Sequence, residues 1–427
     1  MTPKKVQVLI VALIAFAGGY FFGTTKISFD WANYKPNITV INKEPPSSAS
    51  LVDFNLFWNV WDKLTTNYYD PKAVDPQKLL YGAISGMVSS VGDPYTMFLP
   101  PQQQQNFQQQ MAGQFTGIGA ELSTDAQHHI MVMAPLNGSP AQKAGVKPGD
   151  IIVTVDGKST NGWDLNQAVN NIRGPKNSIV TLGIIHKGNS NPSDVKITRG
   201  VITVKSVDGW VKQVKDIPTV NLKNSSLSSD SILYIQLSQF GDSTDTDLEN
   251  LVNKVVSQVN SGTVKGIVLD LRDNPGGYLT DAQFVAGEFL PNGAPVVKEE
   301  DASGQMNTLY VNRTGKLTNT NIPMVVLINK GTASASEILS GALRDNKRAE
   351  LVGETSFGKG IVQEAIDLGG GAAMHVTISK WLTPNGTWVG NGVNGAGLVP
   401  DVTVALDPKD PSHDTQLEKA IQTVLGE

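Results

Sequence analysis

The spacing of apolar positions changes several times along the chain, and each change marks an expected domain. Residues 6–23 form an uncharged, mostly apolar run of 18 residues behind Lys4 and Lys5. As a helix this run would be about 27 Å long, close to the hydrocarbon thickness of a bilayer. The two lysines favour a cytoplasmic N-terminus (1–5), placing everything after Gly23 outside. Ala15-Phe16-Ala17 offers the alternative of a cleaved signal peptide, and either reading exports the chain. Residues 24–50 are polar, carry Pro45-Pro46-Ser47-Ser48, and read as a linker. Over 51–113 the pattern turns helical. Phe54, Phe57, Trp58, Trp61 and Leu64 recur at helical spacing. A second helix is expected from about Pro76 to Val91, before the turn signal Gly92-Asp93-Pro94. Phe107 and Met111, at i,i+4, predict a short amphipathic helix inside the Gln-rich run 102–110.

Between 114 and 198 short strands and glycine turns take over. Residues 115–122 read as a Gly-rich loop entering a strand. Ser139-Pro140-Ala141 opens a short helix with proline in its first turn. Residues 149–157 form a strand closed by the Asp156-Gly157 turn, and 165–172 a second short helix. Together they predict a compact module. Between 199 and 407, three runs rich in Val and Ile (232–237, 266–271 and 324–328) each lead through a Gly-containing turn into a helical stretch. Buried strands alternating with helices predict an α/β core. A last amphipathic helix is expected at 415–425, within 408–427. The fold class is therefore α/β multidomain.

Composition narrows the chemistry. Lys plus Arg number 34 against 39 Asp plus Glu, a net charge of -5, which argues against a nucleic-acid partner. The absence of cysteine excludes a thiol nucleophile, a Cys-ligated zinc and a disulfide framework. None of His128, His129, His186, His375 and His413 has the i,i+4 spacing of a helical zinc pair, so no metal site is expected.

Three segments carry candidate chemistry. Ser334 follows an apolar strand and precedes a helical pattern. Ser334 to Glu337 fits a capping box, and the same junction offers helix N-terminal N–H groups to an oxyanion. A serine nucleophile needs a base, and no G-x-S-x-G elbow is present. Lys359, flanked by Gly358 and Gly360, serves if burial lowers its pKa. In an extended segment, residues 359, 361 and 363 share a face, so that Gln363 reaches the Lys359 amine. Gly276-Gly277, after the strand ending at Leu271, offers bare N–H groups to an oxyanion.

Taken in order, these segments resemble the carboxyl-terminal processing peptidases, a serine-lysine family also called tail-specific proteases. The resemblance rests on Asp93-Pro94-Tyr95-Thr96, Phe115-Thr116-Gly117-Ile118-Gly119-Ala120, Gly145-Val146-Lys147-Pro148-Gly149-Asp150 and Leu271-Arg272-Asp273-Asn274-Pro275-Gly276-Gly277. Thr332-Ala333-Ser334-Ala335-Ser336-Glu337-Ile338 and the segment from Gly353 to Gln363 complete it. It covers roughly 50–425. It implies a Clp/crotonase-like α/β catalytic core at 199–407, with a PDZ domain at 114–198 inserted after the N-terminal helical region. It implies Ser334 as nucleophile in preference to Ser336, Lys359 as general base and Gln363 as its orienting partner. Ala335 N–H and either Gly276 or Gly277 N–H would form the oxyanion hole. The N–H groups of Gly117, Ile118, Gly119 and Ala120 would bind a substrate's terminal carboxylate, with an apolar C-terminus preferred. Arg173 resembles a position that senses the state of the PDZ domain, or is a solvated surface arginine. No metal or organic cofactor is implied. The helices at 51–112 and 415–425 resemble those through which family members dimerise. A non-catalytic PDZ adaptor and a crotonase-like acyl-thioester enzyme are the rival readings.

Overall fold

In a computed structural model the described residues are 27–32, 35–40 and 52–426, less Ala126, His128, Asn137, Ser190, Asn224, Asn319, 391–395, 408–409 and Pro411. The expected membrane segment 6–23 and most of the linker 24–50 lie outside the described residues. Among those described, no helix is long and apolar enough to cross a membrane. The chain divides into two compact units, 1–83 and 84–427.

In unit 1–83, strands Ile27–Ala32 and Lys35–Val40 pair antiparallel. Helix Asn55–Asn67 carries the expected aromatic side chains, with Phe57 and Trp58 edge to face at 5.0 Å between ring centroids. Leu56 and Trp58 on this helix are 72% and 59% exposed.

Unit 84–427 begins its sheets with the module expected at 114–198. Strands Ser193–Thr198, Ile179–Ile185, Ile151–Val155, Ile130–Pro135 and Ala120–Thr124 lie side by side in that order. Period-2 alternation places Val180, Leu182 and Ile184 inside, against Ile118, Val132, Ile152 and Ala168. Asp156 and Gly157 take φ of 49° and 76°, making the expected tight turn onto Lys158–Ser159. Helix Leu165–Ile172 opens on an Asp164/Gln167 capping box. One element departs from the sequence expectation. Gln114–Gly117 is a strand rather than a loop, paired with Gly200–Thr203. It joins the two ends of the module, and four residues are too few to show a period.

The central sheet of the α/β core runs Val207–Gln213, Ser231–Leu237, Val264–Asp270, Met324–Ile328, Glu350–Gly353, Val402–Thr403. Only the first neighbouring pair is antiparallel. A parallel sheet is covered on both faces, and alternation divides its side chains. Leu233, Ile235, Ile267, Leu269, Val326 and Ile328 pack with helices Thr244–Asn260, Leu279–Phe289 and Ala335–Asp345. Ile232, Val268, Val325, Leu327 and Val352 face Leu417, Ala420, Ile421 and Val424 of helix Thr415–Leu425. Arg272, just past one strand end, donates to Asp270 and to the helix N-cap Asp414, with Nη2 2.6 and 2.8 Å from their carboxylates. This fixes the start of the loop that leads to Gly276. A second sheet runs Met306–Tyr310, Pro295–Asp301, Ala372–Leu382, Ile361–Gly369, and Met97–Leu99 pairs with Ala372–Leu382. That last pairing brings residues 93–111 beside Ala372–Leu382, the neighbour of the strand that follows Lys359.

Candidate active site

Ser334 joins strand Met324–Ile328 to helix Ala335–Asp345 with φ 56° and ψ -119°. A non-glycine residue in this region costs about 1–3 kcal/mol and persists only where its surroundings enforce it. They do so here through the neighbouring loop. Thr332 Oγ1 donates to Leu271 O at 2.8 Å, and Ala333 N–H and Ser336 Oγ both donate to Asn274 O at 3.0 Å. Asn274 is buried, and its amide donates to Leu237 O at 2.7 Å while its Oδ1 accepts Gly276 N–H at 2.9 Å. Gly276 has φ 96°, and a Cβ there would lie 2.8 Å from Ser334 Cβ, so only glycine fits against the serine.

Glu337 was expected only to close a capping box. The structure gives it more. Its buried carboxylate accepts Ser334 N–H at 2.8 Å and Lys359 N–H at 2.9 Å on Oε2. On Oε1 it accepts Ser356 Oγ and Gly358 N–H, each at 2.6 Å. One side chain thus ties the Ser334 turn to the Lys359 segment. Burial pushes its carboxyl upward, and the four donors oppose the rise.

Lys359 precedes strand Ile361–Gly369. A register shift between Val362 and Gln363 interrupts the simple alternation expected of that segment. Even so, Nζ donates to Gln363 Oε1 at 2.6 Å. Gln363 Nε2 donates in turn to Tyr95 O at 2.6 Å. Trp381 Nε1 donates to Lys359 O at 2.8 Å. Burial depresses the Lys359 pKa below the ordinary lysine value, against the pull of Asp93 and Glu337.

Ser334, Ala335, Lys359, Gln363, Gly276 and Gly277 all line one cavity of about 410 Å³. Its remaining wall is largely apolar and includes Phe107, Met111, Leu279, Ile338, Ile361 and Val362, together with His375. The two residues that marked helix Pro101–Met111 as amphipathic therefore face the candidate site, a role the sequence reading did not assign them. Among the described residues, no group of three or more His, Cys, Asp or Glu side chains is arranged to hold a metal.

The Gly117–Ala120 loop does not line this cavity. It belongs to the inserted module, where Ile118 is buried and Ile118 O accepts Ala141 N–H at 2.8 Å. Arg173 caps helix Leu165–Ile172 with its guanidinium 5.0 Å from the Phe115 ring centroid. It lines a separate groove of about 790 Å³ together with Gln105 and Gln109 of the Gln-rich helix.

Comparison with known proteins agrees with this architecture. A model of peptidase family S41 matches 231–404, a PDZ-domain model 131–185, and a model of the activating protease CtpB N-terminal domain 13–102. Carboxy-terminal processing protease CtpB of Bacillus subtilis is 35% identical over 364 residues, covering 85% of this chain and 70% of that protein. The carboxy-terminal-processing protease of Bartonella bacilliformis is 33% identical over 456 residues, covering 98% and 97%. The solved structure of the photosystem II D1 C-terminal processing protease matches with a TM-score of 0.50 at 29% identity, covering 87% of this chain and 97% of that one. Together these define a serine-type endopeptidase of mixed α/β fold that carries a PDZ domain and acts on protein substrates. The chain belongs to the carboxy-terminal processing peptidases of family S41.

Proposed function

We propose that Ser334 is the nucleophile and Lys359 the general base of a Ser-Lys mechanism, with Gln363 orienting the lysine. The observation that carries this reading is the Lys359 amine. It is largely buried, its charged form is disfavoured, and it is held 2.6 Å from Gln363 Oε1 on the wall of the cavity that Ser334 also lines. Nζ bonds Gln363 rather than Ser334, and catalytic hydrogen bonds often tighten only with substrate bound. Ser334 Oγ attacks the scissile carbonyl as neutral Lys359 takes its proton. The C–N bond then breaks, Lys359 returns the proton to the leaving amine, and water hydrolyses the acyl-enzyme ester. Ala335 N–H, the first of its helix, is one oxyanion donor. Gly276 N–H is already engaged by Asn274 Oδ1, which favours Gly277 as the other.

The PDZ domain captures the C-terminus of the substrate on the N–H groups of Gly117, Ile118, Gly119 and Ala120 and prefers apolar ends, the peptide adding as a strand. The mainly parallel sheet of the catalytic core, with helices on both faces, supports a core of the Clp/crotonase kind. The chain is exported and held at the membrane by 6–23, or released if that segment is cleaved. It works as a homodimer. Helix Thr415–Leu425 buries its apolar face on its own sheet, whereas helix Asn55–Asn67 leaves Leu56, Trp58 and Leu64 exposed, so the latter suits the dimer contact.

The test is cleavage of an unstructured protein with an apolar C-terminus by wild type, S334A and K359A. Loss on the order of a thousandfold or more is expected for both variants. Equal cleavage by S334A would end the assignment, and peptide binding without turnover by wild type would favour an adaptor.

A further inference from the structure

We propose that the turn Asp93-Pro94-Tyr95-Thr96 is a positioning device that fixes the amide of Gln363, and through it the amine of Lys359. The proposal rests on the reading of Lys359 as base. A glutamine amide has two nearly identical ends, and only its oxygen can accept from an ammonium or amine. Gln363 Nε2 is 2.6 Å from Tyr95 O. A backbone carbonyl is an acceptor only, so this contact requires the NH2 end to face Tyr95 and the oxygen to face Lys359 Nζ. Without Tyr95 O in that place, the amide is free to turn and present a donor to the lysine.

The turn is itself held from three sides. Asp93 Oδ1 accepts Tyr95 N–H at 3.0 Å, and Asp93 Oδ2 accepts Thr96 Oγ1 and Thr377 Oγ1, each at 2.6 Å. Thr96 Oγ1 accepts Thr377 N–H at 3.1 Å. Thr377 is the cross-strand partner of Gln363. The bonds therefore close a ring: Gln363 to Tyr95, Tyr95 to Asp93, Asp93 to Thr377, and Thr377 across the ladder to Gln363. A closed ring is rigid where a single contact would swing, and small errors in placing a catalytic group are expensive.

Two further groups bear on the amine besides Asp93 and Glu337. The Tyr95 ring centroid lies 5.4 Å from Nζ, and His375 lines the same cavity. Of these, Asp93 and Glu337 favour charged lysine. Removing the Asp93 charge therefore makes Lys359 easier to deprotonate even as it loosens the ring.

The experiment compares wild type, T377V, T377S, D93N and K359A on one unstructured protein substrate, with rates normalised by active-site titration. T377V keeps shape and deletes one hydroxyl. It is expected to lower kcat on the order of tenfold with KM unchanged, and T377S to restore it. D93N is expected to lower kcat and to shift the rising limb of kcat/KM against pH to lower pH. If T377V and D93N keep wild-type kcat per active site while K359A is inactive, the positioning role is wrong and the Ser-Lys reading stands. If the variants lose only titratable sites, as simple misfolding would produce, the role is equally overturned. If K359A retains wild-type turnover, the underlying reading itself fails.

Discussion

Replacing Glu337 with glutamine separates a helix cap from a brace between the Ser334 and Lys359 segments. The carboxylate receives two donors on each oxygen, at 2.6 to 2.9 Å. An amide has one oxygen and one NH2, so one pair of donors must meet hydrogens. With the NH2 in the place of Oε2, two backbone N–H groups, of Ser334 and Lys359, lose their acceptor and cannot turn away. With the NH2 in the place of Oε1, Gly358 N–H is the one backbone donor orphaned, and the Ser356 hydroxyl, which also loses its acceptor, can rotate. Ser356 Oγ, which already accepts Leu398 N–H at 2.6 Å, has a second lone pair for the new donor. The glutamine is expected to settle the second way. One buried unpaired N–H costs about 1–3 kcal/mol, and relief from burying a charge offsets part of this. A net loss of about 1–2 kcal/mol is expected for E337Q, with turnover down about tenfold because the orphaned group adjoins Lys359. Alanine removes all four acceptors and leaves a void, so E337A is expected to lose more than about 4 kcal/mol. Glutamine serves as well as glutamate in a capping box, so a mere cap predicts no cost for E337Q. The assay is urea unfolding followed by tryptophan fluorescence, since Trp381 is fully buried and bonded to Lys359 O, paired with turnover per active site. Wild-type stability and turnover in E337Q would refute the brace.

Three other outcomes are expected. Arginine cannot deprotonate, so K359R is inactive across the accessible pH range, while wild-type kcat/KM rises with pH along a limb centred below the ordinary lysine value of 10.5. Because the folded lysine loses its proton before the unfolded one does, the unfolded chain binds more protons in that window and stability rises with pH there; K359M flattens the slope of urea midpoint against pH. Burial first, then Asp245 and Asp242, push the Asp281 pKa up from 3.8 to about 7. The folded state then binds more protons between these values, so stability falls as pH rises through them. D281N is accordingly expected to stabilise by about 1–2 kcal/mol at pH ~8, after allowance for partial exposure, and by little at pH ~4; an equal gain at both pH values would contradict the cause. In G276A the new Cβ would crowd Ser334 Cβ at 2.8 Å and Ala335 N at 2.9 Å with φ at 96°. Turnover should fall on the order of a hundredfold with about 1–3 kcal/mol lost from stability, and unchanged turnover would refute a nucleophilic role for Ser334 that depends on this close contact.

What was legible in the sequence was whatever repeats locally. The helices Leu165–Ile172 and Pro101–Met111 and the buried strand Met324–Ile328 each announce themselves within a short window, through caps, i,i+4 pairs or an unbroken apolar run. The Ser334 and Lys359 segments were legible as a pair only through family resemblance, since each alone reads as a cap or a turn. The contacts that organise the site were illegible for a different reason. Gln363 meets Tyr95 across 268 positions, and Asp93 meets Thr377 across 284. No periodicity in one sequence encodes a pairing at that distance, because sheet order decides it. The pairing of the Gly276 N–H is instructive because it looks equally long-range and is not. Asn274 bends its side chain onto the N–H two residues ahead, at 2.9 Å, which is what asparagine does at the start of a turn. Read with that habit in mind, Asn274-Pro275-Gly276 carries a local signal for where the Gly276 N–H goes.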